Sequence, residues 1–120
     1  MNLTNDGLTI FQARYALRDD LGQVIETPEQ AVYRISRAAA SAEKDRQEYW
    51  ACEFSRLISE LWFVPSTPIW ANMGKPGSMQ QPAACFVLRI EDNLQSMYQT
   101  LLESAMIAKY GGGLATIFQR

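Results

Sequence analysis

The last third of the chain restricts the fold most. Residues 83–90, AACFVLRI, are a compact apolar run with β-branched and aromatic members, which predicts a strand. Leu94, Met97, Tyr98, Leu101, Leu102, Ala105 and Ala108 then recur at spacings of three and four, predicting an amphipathic helix over 93–109. Asp92 stands where an N-cap is expected, and Gly111–Gly112–Gly113 stops the helix. The closing LATIFQR reads as the start of another strand. Strand, helix, glycine turn and strand form the grammar of a parallel βαβ unit. A lone parallel pair leaves its backbone edges unpaired, which compact domains rarely tolerate. The segment therefore reads as the opening of a larger α/β structure.

The part before it is helical. LTIFQARYAL (8–17) predicts a short helix with Ile10, Phe11, Tyr15 and Leu17 to one side, followed by a turn at Asp19–Gly22. Thr27–Pro28–Glu29–Gln30 is a strong helix start. Thr27 can cap, Pro28 loses nothing at the first helical position, and Gln30 can close a capping box. Ala31, Val32, Ile35, Ala38 and Ala39 line the helix that follows, with Arg34 and Arg37 beside them. A second strong helix is expected over 44–62, where Trp50, Phe54, Leu57, Ile58 and Leu61 recur and Pro65 ends the run. Residues 65–82 carry Pro65, Pro68, Pro76, Pro82, Gly74 and Gly77, and predict an ordered loop rather than a helix. The expected class is mainly α with a small β part, divided into a helical region 1–64 and a second part 65–120.

Composition closes several functional classes. With 120 residues and 48% hydrophobic content, the chain can bury one modest core, on the order of two thirds of its unfolded surface. The 11 basic and 13 acidic residues leave a net charge of −2 and no dominant basic patch, so nucleic acid is not an expected partner. No apolar run approaches the roughly 20 residues that span a bilayer, and the first residues lack the pattern of a secretory signal. Two cysteines, Cys52 and Cys85, do not make a disulfide framework, and the expected compartment is the cytoplasm. The absence of histidine removes the commonest general base and metal ligand, so neither a Ser-His-Asp nor a Cys-His mechanism nor a zinc site is expected within these residues.

The residues that carry chemistry each have a plain structural alternative. Cys85 is either a small core hydrophobe or a thiol placed for reaction near the start of its strand, just after a polar, proline-rich loop. It shares a strand face with Val87. If that face is the inside of a closed barrel, the thiol points at an enclosed site. Cys52, between Trp50 and Phe54 on a helix, reads as core packing. Ser66–Thr67–Pro68 is either turn chemistry or an anion contact. One glycine of Gly111–Gly113 is accounted for as a left-handed cap, and three together suggest close backbone approach to a ligand or another element. Asp92, as a cap, stays free to accept a bond from a sugar hydroxyl. Tyr49, Trp50, Trp62, Phe63 and Trp70 read as core, and the Leu94–Ala108 stripe as core or a helix–helix contact.

Taken together, RYALRDDLGQVIETPEQ, FVPSTPIWANMG, QQPAACFVLRIEDNLQSM and AKYGGGLA resemble, in order and spacing, the N-terminal region of the class II, adenosylcobalamin-dependent ribonucleotide reductases. The similarity runs from about Leu8 to the last residue. It implies an N-terminal helical region followed by the first strand–helix–strand unit of a ten-stranded α/β barrel. Cys85 matches the catalytic thiol that reduces the ribose by forming a disulfide with a second cysteine far along the chain. Thr67, Ala84, Gly112 and Gly113 match substrate-site positions, and Asp92 matches the contact with a deoxynucleotide effector. Helix 93–109 matches part of a homodimer contact. Two departures stand out. Ala84 replaces a usual serine, and Ala115 stands where GGGxG carries glycine. The resemblance also implies that the radical cysteine, the second redox cysteine and most cobalamin contacts lie beyond residue 120, in the remaining reductase chain. The expected protein is thus an N-terminal reductase fragment, inactive alone. Two alternatives stay open: a non-catalytic helical interaction module of that descent, and a small thiol redox protein.

Overall fold

The computed structural model describes residues 1–77 and 80–119. Ser78 and Met79 of the expected loop and Arg120 at the chain end lie outside the described residues. The first helix, α1 (Asn5–Arg14), starts earlier than its apolar pattern, because the Thr4 hydroxyl accepts from the Gly7 N–H at 3.1 Å. Its one buried residue is Phe11. The turn that follows is set by Asp19, whose carboxylate accepts from the N–H groups of Leu21 and Gln23 at 3.0 and 2.8 Å, while Gly22 takes φ +79°.

Helix α2 (Pro28–Ala40) begins at the expected capping box. Gln30 N–H donates to the Thr27 hydroxyl, and Thr27 N–H donates to the Gln30 side chain. Helix α3 (Gln47–Ser59) is shorter than the 44–62 run and packs along α2. Pro65 does not end it. Leu61 takes the left-handed conformation at φ +62°, Trp62 N–H returns to Leu57 C=O at 3.0 Å, and Leu61 N–H to Ile58 C=O at 3.1 Å. This is the bond pattern of a Schellman cap, with leucine where glycine is usual. The 65–82 segment is not wholly a loop, since it holds the short helix α4 (Thr67–Asn72), with Pro68 in the first turn.

Strand β1 (Cys85–Glu91), helix α5 (Leu94–Lys109) and strand β2 (Gly113–Gln119) form the expected parallel βαβ unit, paired in register from Cys85–Gly113 to Glu91–Gln119. The overall architecture is mainly helical with one two-stranded parallel sheet.

The core lies in the helical part. Phe11, Ala16, Ala31, Val32, Ile35, Ile58 and Trp70 form it, with Tyr15, Ile69 and Met73 packed against it. None of these residues belongs to the βαβ unit. Its apolar helix stripe is exposed: Leu94, Tyr98, Leu101 and Leu102 face solvent, Leu101 at 64%. The face of α5 toward the sheet is instead mostly small and polar, with Ile107 near its C-terminal end the one large residue. Thr100 is buried and its hydroxyl donates to Arg89 C=O at 3.1 Å, while Ser104 donates to Thr100 C=O at 2.7 Å. The core expectation also fails for Trp62, 78% exposed, and for Phe63 and Tyr49. These flank the ends of α3, where the chain leaves the core. The radius of gyration is 17.4 Å, against about 13.6 Å for a compact domain of this length, because the βαβ unit stands off the helical part.

Candidate functional site

Cys85 is the first residue of β1 and its thiol is free and exposed, so it is not a core hydrophobe. Exposure alternates along the strand. Phe86, Leu88 and Ile90 are half-buried on one face, while Cys85, Val87, Arg89 and Glu91 are open on the other. Phe86 lies on the side of α5, since both its ring and the Ile107 side chain approach Gly112. Cys85 therefore occupies the sheet face away from the helix.

The glycine turn closes against this strand end. Gly111 takes φ +83° as the helix cap. A Cβ on Gly112 would lie 2.6 Å from Gln81 Nε2, 2.7 Å from Ile107 Cγ2 and 2.9 Å from Phe86 Cε2, so a larger residue there would force these side chains to shift. Gly113 N–H donates to Ala84 C=O at 2.8 Å, which starts the parallel ladder beside Cys85. Ala84, Cys85, Gly112 and Gly113 are thus brought together.

Thr67 sits at the start of α4, with its hydroxyl 3.3 Å from Tyr15 OH. The other end of the same helix touches the glycine turn, where Asn72 Nδ2 donates to Tyr110 C=O at 3.4 Å. Asp92 follows the far end of β1, about 23 Å from Cys85 by strand rise. It is not the N-cap. Asn93 takes that role, accepting from Ser96 N–H at 2.8 Å, while Glu91 N–H donates to the Ser96 hydroxyl at 3.0 Å. Asp92 is left exposed beside a polar cleft lined by Glu91, Asn93, Gln95, Ser96 and Gln99. Cys52, expected in the core, is free and exposed on α3, because the buried positions of that helix are Ala51 and Ile58.

Sequence reasoning missed Tyr15 as a neighbour of Thr67, Gln81 as the residue packed on Gly112, and the ion pair of Glu26 and Arg34. In the sequence Tyr15 stands only on an apolar helix face, and its partner is 52 positions away. Among the described residues no group of three acidic, cysteine or histidine side chains is placed to hold a metal ion, and no helix is long and apolar enough to cross a membrane.

Comparison with known proteins bears on this arrangement. Residues 1–78 match the ribonucleotide reductase all-alpha domain. The chain is 34% identical over 122 residues to a vitamin B12-dependent ribonucleoside-diphosphate reductase of Mycobacterium tuberculosis, an alignment covering 98% of the chain and 17% of that protein. It is 32% identical over 108 residues to the ribonucleoside-diphosphate reductase subunit alpha of Chlamydia muridarum, covering 90% of the chain and 10% of that protein. A vitamin B12-dependent reductase of Thermoplasma acidophilum is 24% identical across the whole chain and 23% of its own length. The chain thus spans a small fraction of the length of these relatives. With its first 78 residues matching the all-alpha domain and its similarity continuing through the βαβ unit, the chain belongs to the ribonucleotide reductase family.

Proposed function

We propose that this chain is the N-terminal part of a class II reductase that converts ribonucleotides to deoxyribonucleotides by a radical mechanism. Residues 1–64 are its helical region and 65–120 open a ten-stranded α/β barrel, completed by the remaining reductase chain in the cytoplasm. The observation that carries this reading is the exposed Cys85 thiol on the helix-free face of a parallel pair, beside the Gly113 backbone. In a closed barrel that face is the interior.

The chemistry assigned to Cys85 is reduction. Two thiols give up two electrons and two protons and become a disulfide. One hydrogen replaces the 2′-hydroxyl on carbon, and the hydroxyl departs with the other as water. Adjacent strands suit such a pair, since a disulfide needs Cα atoms roughly 5.5 Å apart. The second thiol belongs to polypeptide outside these residues. Thr67 and the backbone at Ala84, Gly112 and Gly113 border the bound ribonucleotide. Ala84 and Ala115 contribute methyl groups where a hydroxyl and a hydrogen stand in the family pattern. Asp92, released from capping, is free to bind an effector sugar, and the exposed face of α5 is the homodimer contact.

Adenosylcobalamin, when bound, supplies the initiating radical. On the family resemblance, most of the cofactor's contacts are assigned to the remaining reductase polypeptide. The test is complementation: the chain with the remaining reductase polypeptide, adenosylcobalamin, a ribonucleotide and a dithiol reductant. Turnover is expected with the natural sequence and not with Cys85→Ser. Turnover by Cys85→Ser at the natural rate overturns the role of Cys85.

A further inference from the structure

Arg34 and Glu26 form the most buried ion pair of the described residues, with side chains 9% and 5% exposed. Two parallel bonds join them. Arg34 Nε donates to Glu26 Oε1 at 2.7 Å, and a terminal nitrogen donates to Oε2 at 3.0 Å. Glu26 also accepts from Leu17 N–H at 3.1 Å. The remaining donors of Arg34 go elsewhere, to Trp70 C=O at 3.3 Å and to Met73 C=O. Those carbonyls close the C-terminal end of α4.

A helix of six residues cannot hold itself in water, and its last carbonyls have no partners within it. A guanidinium is suited to both needs. It brings several donors in a rigid plane, and a positive charge to the negative end of the helix. Glu26 fixes the plane of that guanidinium and compensates its burial. Gly74 packs flat against the same residue, since a Cβ there would lie 2.7 Å from Arg34 Cγ and 2.9 Å from its carbonyl oxygen. At the other end of α4 is Thr67, held by Tyr15, whose ring leans on Trp70 with centroids 6.2 Å apart. Helix α4 is therefore anchored at both ends, by Arg34 at the carbonyl end and by Tyr15 at the Thr67 end.

We propose that Arg34, locked by Glu26, is a positioning residue that sets the height and direction of Thr67 in the substrate site. The proposal rests on the reading of Thr67 as a substrate-site residue. Small displacements of binding groups are costly, with about 1 Å worth up to about 100-fold.

The experiment measures KM, kcat and effector Kd in the assembled reductase for Arg34→Lys, Glu26→Asp and Thr67→Ala. Lysine keeps the charge and loses the planar fork. Aspartate keeps the carboxylate and withdraws it by one methylene, so it carries the same test if Arg34→Lys does not fold. The expected result is a rise of about tenfold in KM for the ribonucleotide with kcat within about threefold and effector Kd unchanged. Thr67→Ala should move KM in the same direction. A KM shift from Thr67→Ala without one from either clamp variant overturns the positioning role and leaves the site intact. No shift from Thr67→Ala removes Thr67 from the site, and the positioning role falls with it. Equal loss in KM, kcat and effector Kd identifies Arg34 as a general stabiliser and also overturns the proposal.

Discussion

Cys85 and Gly113 are register partners at the first step of the parallel pair, and Gly113 N–H closes on the carbonyl of Ala84 just before the cysteine. The thiol therefore has bare backbone, not a side chain, beside it on the neighbouring strand. Access to the sulfur from the open sheet face is unobstructed. Thiol titration of the native chain should modify both Cys52 and Cys85 without denaturant. Labelling of one or none would contradict the exposure of the other. Addition of the remaining reductase chain should protect Cys85, which the proposed barrel encloses.

Gly112 and Gly113 are adjacent but not equivalent. Gly112→Ala places a methyl group against Gln81, Ile107 and Phe86 and should cost about 1–3 kcal/mol, as overpacking does. Gly113→Ala meets only Ala84 O at 3.6 Å and should cost less than about 1 kcal/mol. Denaturant midpoints at constant slope separate the two.

Capping gives a second contrast between neighbours. Asn93→Ala should lower stability by about 1 kcal/mol, because Ser96 N–H loses its acceptor. Asp92→Ala should stay within about 0.5 kcal/mol of the natural chain. The reverse order in chemical denaturation would restore Asp92 as the cap.

The Glu29 carboxylate is held below its ordinary range, first by a bond to its own backbone N–H in the opening turn of α2 and then by the Met1 ammonium 3.3 Å away. A depressed folded-state value means that ionisation is favoured by folding. The contribution is complete above the unfolded value, near 4.5, and is lost as pH falls through the lower folded value. The group is exposed, so added salt should weaken the effect. Thermal midpoints measured from neutral to acid pH should fall less steeply for Glu29→Gln. An unchanged acid slope would remove Glu29 from the acid response.

The outward face of α5 predicts self-association. Tyr98, Leu101 and Leu102 form an exposed apolar strip, and such strips are seldom left open. The mass of the native chain in sedimentation should rise with concentration, and Leu101→Glu should suppress the rise. Suppression by Val87→Asp and not by Leu101→Glu would move the contact to the open sheet face.

Local chemistry was the part most legible in the sequence. The Thr27–Gln30 box, the Asp19–Gly22 turn and the cap at Gly111 depend on residues a few positions apart, and each forms as its pattern indicates. The βαβ order was legible for the same reason. Burial was not. An apolar stripe states which side chains share a face, not which face meets a neighbour. For α5 the small residues Ser96, Thr100 and Ser104 lie toward the sheet with Ile107, while Leu94, Tyr98, Leu101 and Leu102 face outward. Cys52 was misplaced by the same inference. Helix α4 was hidden by its prolines, because Pro68 in a first turn looks like a loop residue until its fixed φ is put to use. The Arg34 contacts were beyond reach, since the carbonyls it binds are 36 and 39 positions away and leave no mark on composition.

The two-stranded sheet has a consequence for assembly. Among the described residues β1 and β2 pair only with each other, so each keeps an outer row of amide and carbonyl groups already aligned by α5. Forming a first parallel ladder is intrinsically slow, because a long crossover must fold back before the strands can pair. Here both strands and their crossover fit within about 35 residues, Cys85–Gln119. A strand arriving later needs only to lie down beside an edge whose direction and spacing are set, so this segment can act as the seed from which a larger sheet grows.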